Sequence, residues 1–242
     1  MSDEHTPERF LDPSGRRPGE SVEDWFRRTF GPMPAPTPDM DAPHGEMNQQ
    51  RRSDALAALE RTIPAAYRWA SLSAPELPAR VPPPSISAGQ SSWREPRICV
   101  MGICRAGKTS LAVAMLRQWV ASSERAAAFL HAYKLGVARI QHPAGHGEPE
   151  SVELAMRAPL VLLDDLGSER DHALSAVPDV IFERHAENRP TWVTTGLTHD
   201  QLVKRYGPGV VARIFERAKV IRVGAEATPR RDESERRNAR GL

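Results

Sequence analysis

Cysteine is nearly absent: Cys99 and Cys104 are the two in 242 residues. They stand five positions apart in what reads as a strand and the loop after it. That spacing argues against a structural disulfide, and the scarcity fits a reduced cytosol. No apolar run approaches the ~18 residues that a membrane helix needs. The first residues, Met1 to Phe10, are charged and lack an apolar stretch, so no secretory signal is visible. Charge of one sign is missing too. Lys and Arg number 33 against 31 Asp and Glu, which leaves a net charge of +2 and a pI of about 8.7. Such a balance does not by itself argue for nucleic acid, although a local basic surface stays open. Residues 1 to about 50 have few aliphatic side chains and are rich in Pro, Asp, Glu and Arg. Proline alternates through Gly31–Pro38 and forbids a helix or inner strand there, so this arm reads as disordered. Just before it, Val22, Trp25, Phe26 and Phe30 have helical spacing, which fits either a short partner-binding helix or a loosely docked one.

Against that background one stretch stands out. Arg97 to Met101 reads as a buried strand, and Ser110 to Val120 as a helix. Between them lie Gly102, Ile103, Cys104, Arg105, Ala106, Gly107, Lys108 and Thr109, which fit GxxxxGK[ST] at every fixed position. Glycines let the backbone wrap closely around phosphate with its N–H groups turned inward. The helix beginning near Ser110 presents its positive end to the anion. Lys108 is the expected point charge on the β and γ phosphates, and the Thr109 hydroxyl the expected magnesium ligand. The matching strand and helix contexts set this apart from a chance strand–turn–helix.

A second run completes the pattern. Leu160 to Leu163 are apolar and lead into Asp164 and Asp165, as in a buried parallel strand that ends at a ligand edge. Asp164 is the candidate to hold Mg²⁺ through water, and Asp165 to orient or deprotonate the attacking water. Thr191 to Gly196 reads as another buried strand that ends in hydroxyls suited to reading a γ-phosphate. Between and beyond these, strands are expected at 126–132 and 220–223. Helices are expected at 53–71, broken by Pro64, and at 133–140, 150–157, 172–189, 198–206 and 210–218, with Ser53 and Thr198 as N-caps. Ser85 to Ser92 reads as a short polar loop. His142 and His146 have a metal-like spacing, but Pro and Gly break the segment and no further ligand is near in sequence. The segments are a Pro-rich arm (1–52), a helix and linker (53–92), a nucleotide-binding core (93–227) and a charged tail (228–242). The fold class is α/β: a P-loop NTPase with a parallel sheet flanked by helices. An Asn-Lys-x-Asp guanine reader does not follow the Asp-Asp strand, which argues against a GTPase, and no Leu-Ser-Gly-Gly-Gln signature occurs.

Taken in order, these motifs resemble the AAA+ ATPases of the DnaC/IstB type, the bacterial helicase loaders and transposition helper ATPases. The resemblance runs over roughly residues 60–224. It rests on Ile63-Pro64-Ala65-Ala66-Tyr67-Arg68, the loop Gly102–Thr109, Leu160–Gly167, Pro190–Leu197, Tyr206-Gly207 and Val211-Ala212-Arg213-Ile214. It implies ATP and Mg²⁺ as cofactors, with Lys108 and Thr109 as Walker A and Asp164 and Asp165 as Walker B. It implies that Thr194 and Thr195 lie in the sensor 1 strand, with Thr195 the candidate sensor and Gly196 standing where an asparagine is often seen. Arg213 matches the arginine finger that reaches a neighbouring subunit's γ-phosphate; from the residues alone it would be a surface helix arginine. Arg230 is the candidate second sensor, two residues beyond the family position, which Thr228 occupies.

The implied function is that of a slow, assembly-dependent ATPase, cytoplasmic, that joins head to tail and loads a replicative helicase or another DNA-acting protein onto single-stranded DNA. Arg117, Lys134 and Arg139 are candidate phosphate contacts, although scattered basic residues are more often simply solvated. A transposition helper shares all of this chemistry. A nucleotide-dependent protein-binding switch with little hydrolysis is the alternative of another class.

Overall fold

The apolar runs at 97–101, 127–131, 160–166 and 191–195 are strands largely buried on both faces, whereas in the short strand at 219–222 Ile221 alone is buried. In the computed structural model, residues 44–143, 145–170 and 175–224 are described. The chain divides into two units, Met1–Glu46 and Met47–Leu242, and the account below concerns the second. The aromatic cluster around Trp25, the proline-rich arm and Arg230 lie outside the described residues.

Five strands form one sheet: β1 (Arg97–Met101), β2 (Ala127–His131), β3 (Leu160–Leu166), β4 (Thr191–Thr195) and β5 (Lys219–Arg222). Their order is β2-β3-β4-β1-β5, and every pairing is parallel. Parallel neighbours need crossovers, and helices supply them. Before the sheet come α1 (His44–Thr62) and α2 (Pro83–Ser92); the crossover helices are α3 (Lys108–Ser123), α4 (Ala132–Gln141), α5 (Glu150–Arg157), α6 (Ala176–Ala186), α7 (His199–Tyr206) and α8 (Pro208–Phe215). Successive strand side chains point to opposite faces and divide the core in two. Ile98, Val100, Leu160, Leu162 and Trp192 pack with Leu59, Leu111, Met115 and Trp119 on the α1–α3 side. Cys99, Met101, Val161, Leu163 and Val193 pack with Leu135, Val152, Val180, Leu202 and Ile214 on the other. The parallel, helix-covered sheet expected from sequence is what forms.

Three expectations need correction. α1 begins at His44, so Ser53 is an interior residue and not the N-cap. The stretch from Glu46 to Arg52 carries no apolar stripe, but its Glu, Met, Gln and Arg residues are good helix formers. Ala55, Leu59 and Ile63 then anchor the end of the helix in the core, and Pro64 stops it. The polar loop expected at Ser85–Ser92 is α2. Pro83 starts it with a preset φ, and its buried face is Ser85, Gly89 and Ser92. Small residues let it lie tight on α3: a Cβ on Gly89 would come 2.8 Å from Leu111 Cδ1. A contact stripe made of serine and glycine looks like a loop on any hydrophobicity scale. Finally, the helix expected at 210–218 starts two residues earlier and ends at Phe215. α7 ends at Tyr206 and α8 begins at Pro208, with Gly207 at φ 82° as the pivot. Thr198 does cap α7, in a capping box with Gln201.

Arg184 of α6 is buried without any carboxylate beside it. Its guanidinium donates to the carbonyls of Ala155, Met156, Ala158 and Pro190 and to Thr191 Oγ1. Burial, and to a smaller extent Arg189, lower its pKa to about 9, so it stays charged at neutral pH. It ties the end of α5 and the start of β4 to α6. Arg184→Met would strand these acceptors and is expected to lower stability by about 3 kcal/mol. Urea denaturation reads this directly, and a shift below about 1 kcal/mol would show the carbonyls to be satisfied otherwise.

Candidate functional site

β1 ends at Met101, the loop turns back over Gly102–Gly107, and α3 starts at Lys108. Two backbone segments press on this loop. A Cβ on Gly102 would lie 1.9 Å from Val223 O, and one on Gly107, at φ 90°, 2.3 Å from Arg80 O. Only glycine fits at either place. Ile103 and Cys104 are exposed at the loop tip, Arg105 adopts φ 65°, and Ser110 is buried in the first turn of α3. Lys108 is buried and curls over its own loop, with Nζ donating to Ile103 O at 2.8 Å.

The acidic pair arrives from across the sheet. β4 lies between β1 and β3, so the loop and the acidic strand end on the same edge, one strand apart. Thr109 Oγ1 donates to Asp164 Oδ1 at 2.9 Å, and Thr194 Oγ1 donates to the same oxygen at 2.7 Å. His131, the last residue of β2 and level with Asp164 in the sheet, brings Nδ1 to 3.2 Å from Asp164 Oδ2. Asp165 is exposed beside it, at φ 59°, with its N–H donating to Thr194 Oγ1 at 2.9 Å. Lys108, Thr109, His131, Asp164 and Asp165 line one cavity of about 580 Å³. It shares Arg80, Cys104 and Arg105 with a second chamber of about 360 Å³, between Pro78–Pro82 and the loop.

The donors suit a hard divalent cation that also takes phosphate oxygens. A hydroxyl and a carboxylate oxygen stand 2.9 Å apart at the helix N-terminus. Among the described residues no group of three or more His, Cys, Asp or Glu could hold a metal unaided. The His142 ring stands 3.4 Å from the carbonyl oxygen of His146.

Other expected residues fall elsewhere. Thr195 is fully buried, with its hydroxyl donating to Leu166 O and accepting from Leu197 N–H. The strand's alternation turns it into the protein, so it does not face the cleft. Thr194 makes the contact to Asp164 instead, and a Cβ on Gly196 would stand 4.0 Å from Lys108 Nζ. Arg213 lies on α8 outside the cavity, donating to Gly209 O and stacked over Phe182 at 4.5 Å. Of the three basic candidates for DNA, two are structural. Arg117 makes a two-pronged pair with Glu60 and donates to Ala70 O, fastening α1 to α3. Arg139 pairs with Glu148 and Asp179. Lys134 is exposed on α4. Sequence reasoning missed His131, whose signal is its place at a strand end level with the acidic pair. It also missed Arg80, which becomes part of the site only because the connector folds against the loop.

Matched against protein-family models and against curated proteins, the chain finds no counterpart in either. Solved structures do match. The DnaC helicase loader is 22% identical, with a TM-score of 0.55, covering 66% of this chain and 100% of its own. DnaI is 21% identical, with a TM-score of 0.53, over 67% and 92%. A putative primosome component from Streptococcus pyogenes serotype M3 is 18% identical, with a TM-score of 0.54, over 68% and 91%. At such identities the likeness is one of fold. Among the described residues no helix is long and apolar enough to cross a membrane. With its strand order and these neighbours, the chain has the fold of the DnaC helicase loader and DnaI structures, a parallel sheet flanked by helices.

Proposed function

We propose that this chain binds Mg·ATP at the shared edge of β1, β3 and β4, hydrolyses it slowly, and works as a DnaC-like helicase loader. The observation that carries the reading is the meeting of Thr109 with Asp164 at 2.9 Å across 55 residues of sequence, next to Lys108. The loop amides and Lys108 grip the phosphates, with Nζ exchanging Ile103 O for phosphate oxygen. Thr109 and Asp164 hold the magnesium, which when bound offsets the phosphate charge. His131 and Thr194 keep the Asp164 carboxylate oriented. Asp165, exposed into the cavity, orients the attacking water. The base occupies the chamber between Pro78–Pro82 and Cys104–Ala106.

Arg213 is outside its own cleft, so its proposed partner is the γ-phosphate of a neighbouring copy in a head-to-tail assembly, where a cation offsets developing charge. Lys134 remains the proposed contact to single-stranded DNA. The helicase as partner follows from the likeness to DnaC, whose structure is that of a helicase loader. A nucleotide-dependent switch with little turnover is the second reading. It is favoured by the end of β4, where the Thr195 hydroxyl is committed inward and Gly196 has no side chain to offer the phosphate.

Lys108→Ala is expected to abolish Mg·ATP binding in calorimetry. The same variant tests protection of the exposed Cys104 from alkylation: nucleotide shields the wild-type thiol and not the variant's. Cys99 stays unlabelled in both, since burial pushes its thiol up to about 12. Asp165→Ala should bind normally and lose turnover. If wild type and Asp165→Ala bind ATP and are equally inert, the switch reading replaces hydrolysis.

Arg213→Ala should leave ATP binding intact and cut turnover at least about tenfold, in the assembled form alone. Tagged wild-type chain should retain the replicative helicase in the presence of ATP. Normal assembled turnover in Arg213→Ala removes the trans role, and failure to retain the helicase removes the loader role.

A further inference from the structure

Glu169 has no place in the chemistry above, yet it is a carboxylate shut away from water. Its side chain is 0% exposed, on the loop that follows β3. The Tyr206 hydroxyl donates to it, 2.6 and 2.7 Å from its two oxygens. The Gly167 N–H stands 2.9 Å from Glu169 Oε2 and 2.8 Å from the Tyr206 oxygen. Arg205 donates to the Glu169 carbonyl. Burial, and then the facing carboxylate, push the Tyr206 phenol well above its ordinary pKa, so it remains the donor. A buried carboxylate is costly unless its bonds do something.

What the loop bonds to is Asp165, next to last in β3. That residue sits at φ 59°, a left-handed conformation that is sparsely populated without glycine and persists only where the surroundings hold it. On one side its N–H is held by Thr194 Oγ1 at 2.9 Å. On the other, its carbonyl accepts from Ser168 N–H at 3.1 Å and from Ser168 Oγ at 2.7 Å. Ser168 lies between Gly167 and Glu169, the two residues that the Tyr206 cluster fastens. Tyr206 is also the last residue of α7, and α8 with Arg213 follows directly across Gly207.

We propose that Tyr206 and Glu169 form a positioning latch: they hold the turn that aims the Asp165 carboxylate into the cleft, and through α7 and α8 they tie that aim to the face presenting Arg213. The inference rests on the hydrolysis reading given above. Neither residue touches nucleotide, so the latch acts on turnover and not on binding. A neighbour that engages α8 thereby acts on the Asp165 turn.

The test uses the full chain with Tyr206→Phe and Glu169→Gln, and with Val152→Ala on α5 as a core variant outside the latch. Tyr206→Phe removes one hydrogen bond to a charged group and is expected to lower kcat about tenfold. KM and the calorimetric Kd for Mg·ATP should not move, and amide exchange should rise in residues 165–169 alone. Glu169→Gln keeps an acceptor for the phenol and should lose less. Val152→Ala should lower Tm and leave kcat alone. An unchanged kcat in Tyr206→Phe, a rise in Kd that parallels the loss, or an equal loss in Val152→Ala overturns the latch. If Tyr206→Phe does not fold, Glu169→Gln is read by the same criteria. A wild-type chain that binds Mg·ATP without turnover sinks the hydrolysis reading instead. The latch is then judged by exchange: faster exchange confined to 165–169 supports it, and unchanged exchange overturns it.

Discussion

One carboxylate organises the sheet edge. Asp164 takes hydroxyl protons from Thr109 and Thr194 on one oxygen and faces His131 on the other. Those three partners come from α3, β4 and β2, so a single buried group registers four elements against one another. It is an acceptor at the C-terminal edge of a parallel sheet, where strand ends and helix starts converge. The same bonds satisfy the charge while leaving it beside a cavity that a cation and phosphates can enter. Burial of the carboxylate is tolerated because one oxygen accepts two hydroxyl hydrogen bonds while the other faces the His131 ring.

The loop before it is shaped from behind as much as by its own glycines. The segment around Arg80 and the backbone at Val223 lie against Gly107 and Gly102. α2 holds that wall in place, with Ser85 Oγ donating to Arg222 O at 2.8 Å and Gly89 set close on α3. Residues far apart in the chain, before β1 and after β5, thus back the same loop from two sides. The second chamber exists only because this wall stands off from the loop tip.

On the opposite face the structure relies on buried polar groups, not on apolar packing alone. Arg184 satisfies the last carbonyls of α5, where the helix dipole favours a cation. Glu169 and Tyr206 join the turn after β3 to α7. Both networks fix how loops and helix ends meet, which hydrophobic contact specifies poorly because it is non-directional.

Much was legible in the residues alone. Doubly buried strands announce themselves as unbroken apolar runs, which is why β1, β3 and β4 were readable, and the phosphate loop is readable because its chemistry tolerates few substitutes. Glycine at 102 and 107, Lys108, Thr109, Asp164 and Asp165 are therefore determined locally as a set. Tertiary structure decided the rest. Alternation in β4 turned Thr195 inward and Thr194 toward Asp164, a choice of face that depends on strand register. Partners distant in sequence drew Arg117 and Arg139 into ion pairs, and small-residue packing made a helix of Ser85–Ser92. Arg80 and Glu169 carry no local signal, because each owes its place to a group that only the folded chain brings near it, and His131 carries only that of a strand end.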